Sequence, residues 1–172
     1  EAVAMPESDT KKYQPDSGEG LYRRSLYTFW KRAAPPASMD VLNAPSREFC
    51  TVRRERTNTP LQALVTLNDP QFVEAARVLA AKLLGDAAGQ TASDAERLDL
   101  LAKLSLSRPF STAEQAVLVE SLAALRAEYE ADALAAEALL AVGHAPRGAE
   151  GIATVELAAW TMLVNQILNL DE

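Results

Sequence analysis

The chain has 172 residues, enough for one ordinary domain with its own core, and 48% of them are hydrophobic. Leu and Ala dominate that fraction, which favours helices, while a formal net charge of −7 argues against a nucleic-acid partner. The single cysteine excludes an internal disulfide, a CxxC pair and a CxxCH haem-attachment motif, so no cofactor is predicted in this chain.

Residues 1–20 are polar and contain two prolines, and we expect them to form an extended lead-in. The apolar residues of Leu21–Arg32 recur at spacings of four and three, which predicts a short amphipathic helix. An aromatic stripe at helical spacing usually belongs to the core, although it could also stack on sugar rings. The stripe consists of Tyr22, Tyr27, Phe29 and Trp30.

Residues 35–58 show no sustained hydrophobic period and contain three prolines, so they are predicted to be irregular. Positive charge is concentrated in this part of the chain. Residues 21–56 carry eight bases and three acids, a net charge of +5, whereas residues 57–172 carry a net charge of −9. The basic part and the acidic remainder could neutralise each other within the fold, or the basic part could face a partner.

From residue 60 onward, helix start and stop signals follow one another. Prolines at a first helical position, capping boxes and terminal glycines predict helices over 60–67, 70–84, 93–106, 111–132 and 154–170, with a continuation from Asp132 to Ala141. Leu157, Trp160, Val164 and Ile167 form the predicted buried stripe of the last one. The sequence therefore predicts an all-α fold: an irregular bundle of five or six helices after a long irregular basic N-terminal segment, with residues 21–172 as one helical domain.

Three stretches carry a family resemblance: LYRRSLYTFWKR, CTVRRERTNTPLQALVTLNDPQFVEAAR from Cys50 to Arg77, and the ending ELAAWTMLVNQILNLDE. Together they resemble the C-terminal domain of unknown function of large planctomycete and verrucomicrobial proteins, the PSD family that accompanies PSCyt and cytochrome c-like domains. The resemblance spans about Tyr13 to Glu172. It implies the C-terminal part of a larger domain, truncated on its N-terminal side, in an exported multidomain protein. It implies no activity.

The arginine-rich stretch is the best candidate for a functional site. Arginine presents a planar fork that matches carboxylate, sulfate or phosphate groups, so the cluster could clamp an anionic sugar or the acidic face of a partner. Alternatively, these arginines pair with nearby acids and tie the irregular segment to the helices. The candidate residues are Arg47, Arg53, Arg54, Arg56, Asn58 and Trp30.

No catalytic or metal-binding constellation is recognised. His144, the only histidine, lies in a Gly/Pro loop, where a solvated side chain is expected, and Cys50 is expected to be a buried, inert thiol. Asn58, Asn68, Asp69 and Asn165 are expected to cap or tie helix ends. The carboxylates of the long helix show no acid/base spacing, and the most apolar segment, 152–170, is too polar to span a bilayer.

Two functional hypotheses remain open. One is a non-catalytic interaction or scaffold module of an extracytoplasmic, cytochrome-associated protein, whose partners are other domains of the same polypeptide, including a c-type cytochrome domain, or an anionic glycan. The other is part of an enzyme or binding domain that acts on anionic polysaccharide through Arg53, Arg54 and Arg56. Catalysis by this fragment alone is the less favoured interpretation. The resemblance also implies that the protein is periplasmic or otherwise extracytoplasmic.

Overall fold

The computed structural model of the chain describes residues 16–30, 35–46, 48–85, 92–148 and 151–170. These residues form seven α-helices, two short 3-10 helices and no strand, which confirms the all-α prediction. The α-helices are α1 (Ala37–Val41), α2 (Pro60–Asn68), α3 (Pro70–Gly85), α4 (Asp94–Ser105), α5 (Thr112–Ala131), α6 (Ala133–Leu140) and α7 (Thr154–Ile167).

The chain divides into two compact units after Gln62, within α2. The first unit comprises Glu1–Gln62 and the second Ala63–Glu172. The domain boundaries expected from the sequence, a lead-in over 1–20 and a single domain over 21–172, stay a prediction. Most of the expected lead-in lies outside the described residues.

In the first unit, the predicted helix over Leu21–Arg32 is wrong as far as the structure describes it. Its place is taken by 3-10 helices at Gly18–Tyr22 and Ser25–Tyr27, while residues 31–34 lie outside the described part. A helix this short is marginal in water unless its apolar face is covered. No described residue of the first unit is buried, so that support is missing.

The aromatic stripe is consequently not part of a core. The exposed fractions of Tyr22, Tyr27 and Phe29 are 61%, 67% and 53%, and Trp30 is half-buried. The expectation that these side chains pack inside the fold is therefore wrong for the first three. Tyr22 and Tyr27 end the two 3-10 helices and Phe29 follows the second, and all three side chains lie on the surface of the unit.

The core of the second unit is built around α7, which packs against α3, α5 and α6. Leu157, Trp160, Val164 and Ile167 are all buried, as predicted. The buried residues of α7 extend beyond that stripe to include Ala158, Ala159 and Leu163. A helix that is apolar over most of its circumference lies in the interior of its bundle.

The predicted capping signals are confirmed. Ser93 and Ser111 each form a capping box with the glutamate three residues later, which starts α4 and α5. Asp132 separates α5 from α6, because its Oδ1 accepts a hydrogen bond from the Ala135 backbone N–H at 2.9 Å. Each cap satisfies backbone donors that have no partner within the helix.

A cluster of charged side chains joins α4, α5 and α7. Arg126 donates to the carboxylate of Asp94 at 2.7 Å and to that of Glu156 at 2.6 Å. Glu156 Oε1 also accepts a hydrogen bond from the Trp160 indole N–H at 2.9 Å. The bonds from Arg126 hold the pKa of Asp94 below its usual value, so Asp94 is ionised at neutral pH.

Candidate interaction surface

Hydrogen bonds between side chains close the base of the arginine-rich stretch. Thr57 Oγ1 accepts a hydrogen bond from Asn43 Nδ2 and a second, at 2.8 Å, from Gln62 Nε2. Gln62 Nε2 also donates to the Val41 carbonyl at 2.9 Å. Residues 44–46 and 48–56 therefore belong to a loop whose two ends are tied together, and we call these residues the arginine loop.

The helix that follows contributes to the same closure. Gln62 Oε1 accepts from the Thr59 backbone N–H at 3.0 Å, and the Gln62 N–H donates to Thr59 Oγ1 at 3.2 Å. This is the capping box predicted at the start of α2. One glutamine thus caps α2 with its oxygen and holds the loop base with its nitrogen.

The described arginines of the loop point into solvent. Arg53, Arg54 and Arg56 are exposed, and none of the ion pairs formed by the described residues involves them. The alternative in which these arginines pair with acids of the chain finds no support among the described residues. Arg47 lies outside them. The assignment of this cluster as a binding site stays a prediction.

Apolar side chains accompany the arginines. Phe49 is 71% exposed, and Val52 is fully exposed. Cys50 is exposed as well, so the expectation of a buried thiol is wrong. The expectation fails because no described side chain of the loop packs into a core. The loop therefore presents a surface that is both apolar and cationic.

The other candidate residues lie as follows. Asn58 is exposed next to the loop base, and Trp30 is half-buried, with its indole nitrogen shielded from solvent. His144 is exposed, as expected for a loop histidine. The predicted tying role holds for Asn165, whose Nδ2 donates to the Leu67 carbonyl at 3.0 Å, and the predicted capping role holds for Asp69, whose Oδ1 accepts from the Gln71 N–H at 2.9 Å.

Sequence reasoning missed a pair of buried charged residues on α3. Glu74 and Arg77 are 7% and 1% exposed, respectively. Arg77 donates to the carbonyls of Ala145 and Pro146 at 2.9 Å each, and Glu74 accepts from the backbone N–H groups of His144 and Ala145. The two side chains together hold the turn that follows α6.

The sequence contained an indication of this pair. Arg77 follows Val73 by four residues and precedes Ala80 by three, so it falls on the apolar face of α3. Lys, Glu and Arg are almost never fully buried unless they are paired. A charged residue at an apolar register position is therefore a sign that it binds backbone groups elsewhere in the fold.

Two other kinds of site are absent from the described residues. No group of three or more His, Cys, Asp or Glu side chains is arranged there to hold a metal ion. None of the helices in those ranges is long and apolar enough to cross a membrane.

Comparison with known proteins places the chain in a family. The model of the PSD1 family, described as a protein of unknown function (DUF1553), matches residues 1–122. The chain belongs to the PSD1 family. The match includes the arginine loop, its base, α2 and α3, whereas the ending ELAAWTMLVNQILNLDE lies beyond it. No curated protein and no solved structure matches the chain.

Proposed function

We propose that this PSD1-family chain is a non-catalytic docking module whose arginine loop binds an acidic protein surface. The extracytoplasmic, multidomain and cytochrome-associated setting implied by the sequence resemblance belongs to the same proposal. The observation that carries it is the exposure of Arg53, Arg54 and Arg56 without an ion pair among the described residues.

The charge of the loop indicates the chemistry of the partner. Guanidinium groups form two parallel hydrogen bonds to a carboxylate, which gives orientation as well as attraction. The exposed Phe49 and Val52 beside them favour a protein partner, because protein interfaces bury apolar side chains at their centre and place charges around them. A glycan would supply anions but little apolar surface for Val52.

The base of the loop makes such binding less costly. Ordering a flexible loop on binding costs conformational entropy, and a loop whose ends are already joined loses less of it. The bonds of Thr57 with Asn43 and Gln62 fix both ends of the arginine loop before any partner arrives.

The test measures binding of the full chain to poly-L-glutamate and to heparin at low ionic strength. Each exposed ion pair contributes about 0.2–1 kcal/mol, so R53Q/R54Q should weaken binding to poly-L-glutamate by about 2- to 30-fold. R23Q/R24Q is the matched control, because it removes two exposed arginines elsewhere in the first unit.

Three outcomes are informative. Stronger loss from R53Q/R54Q than from R23Q/R24Q supports the proposal. Equal loss shows that binding follows net charge and contradicts it. Binding to heparin without binding to poly-L-glutamate contradicts the choice of a protein partner and favours an anionic glycan.

A further inference from the structure

No described element covers the outer face of α5, a surface with the opposite character to the arginine loop. At spacings of three and four residues, it presents exposed side chains along the length of the helix. These side chains are Ala113, Val117, Glu120, Ala124 and Glu128. Val117 is 62% exposed, so the face mixes apolar surface with carboxylates.

This face carries no positive charge. Arg126 is the only base in α5, and its guanidinium is already bound to Asp94 and Glu156. Glu120 and Glu128 take part in none of the ion pairs found within the described ranges. Two carboxylates separated by eight residues, about 12 Å along a helix, are therefore available to a cationic partner.

We infer that the arginine loop docks on the outer face of α5 of a second copy of the chain. This inference rests on the proposed function and names the partner. Arg53 and Arg54 pair with Glu120 and Glu128, while Val52 contacts Val117 and the alanines. Charge complementarity argues for a second copy, because every copy carries a basic loop within a segment of net charge +5 and an acidic face within a part of net charge −9.

The small size of the contact sets its strength. A loop of this length placed on one helix buries less than the roughly 1,200 Å² of a stable interface, so the association is weak and transient. Most of the attraction is electrostatic and acts between solvent-exposed charges. Salt therefore screens it, because the Debye length of a solution at 0.15 M ionic strength is only about 8 Å. The expected dissociation constant is therefore in the micromolar range or weaker.

Sedimentation velocity of the full chain tests the inference. At low salt, the weight-average sedimentation coefficient should rise between about 10 and 500 µM protein, and 0.5 M NaCl should remove the rise. E120Q/E128Q removes two exposed ion pairs and should raise the dissociation constant by about 2- to 30-fold. The matched control E130Q/E137Q removes two exposed carboxylates of α5 and α6 outside this face, and it should leave the constant within about twofold.

A charge exchange gives the decisive result. R53E/R54E and E120R/E128R should each fail to self-associate, and an equimolar mixture of the two should associate. The inference is overturned if the chain stays monomeric at low salt, or if E130Q/E137Q weakens association as much as E120Q/E128Q. A chain that binds poly-L-glutamate through its arginines but does not self-associate refutes this inference alone. If the unmodified chain does not bind poly-L-glutamate, the proposed function is refuted as well.

Discussion

At the scale of single residues, α3 holds the turn after α6 with two charged side chains. Glu74 accepts from backbone N–H groups of the turn, and Arg77 donates to its carbonyls. Gly143 begins the turn with a φ of +93°, a conformation that L side chains rarely adopt. A Cβ placed there would lie 2.8 Å from Glu74 Cβ.

Gly143→Ala should destabilise the protein by about 2–4 kcal/mol, because the added methyl meets Glu74 and the positive φ is strained. Gly148→Ala is the matched control: φ is +62° there, but the nearest atom, Ala81 Cβ, lies 3.9 Å away. It should cost only about 1 kcal/mol. Urea unfolding measures both, and equal losses would show that the approach of Glu74 is unimportant.

The start of α5 makes stability depend on pH. Hydrogen bonds from Arg108 and from the Ser111 backbone lower the pKa of Glu114 from 4.5 to about 2. A carboxyl whose pKa falls on folding stabilises the fold above its unfolded pKa, and that stabilisation is lost as the pH falls toward the folded value.

Glu114→Gln should therefore lower the midpoint of urea unfolding at pH 7, and the difference from the parent chain should shrink between pH 4.5 and pH 2. Glutamine can still accept at the capping box, so the change removes mainly the charge that faces Arg108. Glu130→Gln, an exposed carboxylate of the same helix, is the control. A difference that is constant with pH would contradict this assignment.

At the scale of elements, α7 fixes α2 with polar side chains. Asn165 is 1% exposed, and its Nδ2 donates to Leu67 in the last turn of α2, where carbonyls lack a partner within the helix. One turn later, just beyond the end of α7, Asn169 accepts from the Thr66 hydroxyl. The end of α2 is thus held from the side by the most buried helix.

Asn165→Ala should cost about 1–3 kcal/mol, because it leaves the Leu67 carbonyl without its donor. Gln166→Ala changes the next, exposed residue of α7 and should stay within about 0.5 kcal/mol. Thermal unfolding of the two variants and of the parent chain measures the loss of stability caused by each change. Similar losses would mean that helix propensity rather than the amide accounts for the effect.

Sequence patterns predicted the helices of the second unit well, because capping boxes and apolar periods act locally. Ser93, Ser111 and Asp132 each cap where expected. The prediction failed over Leu21–Arg32. The spacing of the apolar residues there is helical, but the sequence does not show whether another element covers the apolar face that such a helix would have. The loop base was also missed, since the bond from Asn43 to Thr57 depends on tertiary placement rather than on spacing.

At the scale of the whole molecule, burial is distributed unevenly. Every buried residue among those described lies at Val73 or later, and α3 and α7 hold many of them. The described residues before that point depend on hydrogen bonds that water can compete for. Local opening requires least free energy where few apolar contacts are lost.

Hydrogen exchange should therefore be slowest at the backbone amides of α3 and α7 and fastest over residues 48–59, all of which are exposed. Mass spectrometry of peptides from the native chain measures both. The helix α6, with buried Ala136 and Leu140, should lie between them. Protection of residues 48–59 comparable to that of α7 would contradict the description of the loop as solvated.

The hydrogen bonds of Thr57 at the loop base allow the sequence of the arginine loop to change without disturbing the helices. Lengthening a closed loop is inexpensive, about 0.6 kcal/mol for each doubling, and the bonds from Asn43 and Gln62 do not involve the residues between. The tip of the loop can therefore be replaced or extended while α2 keeps its cap. Grafting new recognition sequences between Ala44 and Arg56 should redirect the module to other targets without redesign of its helices.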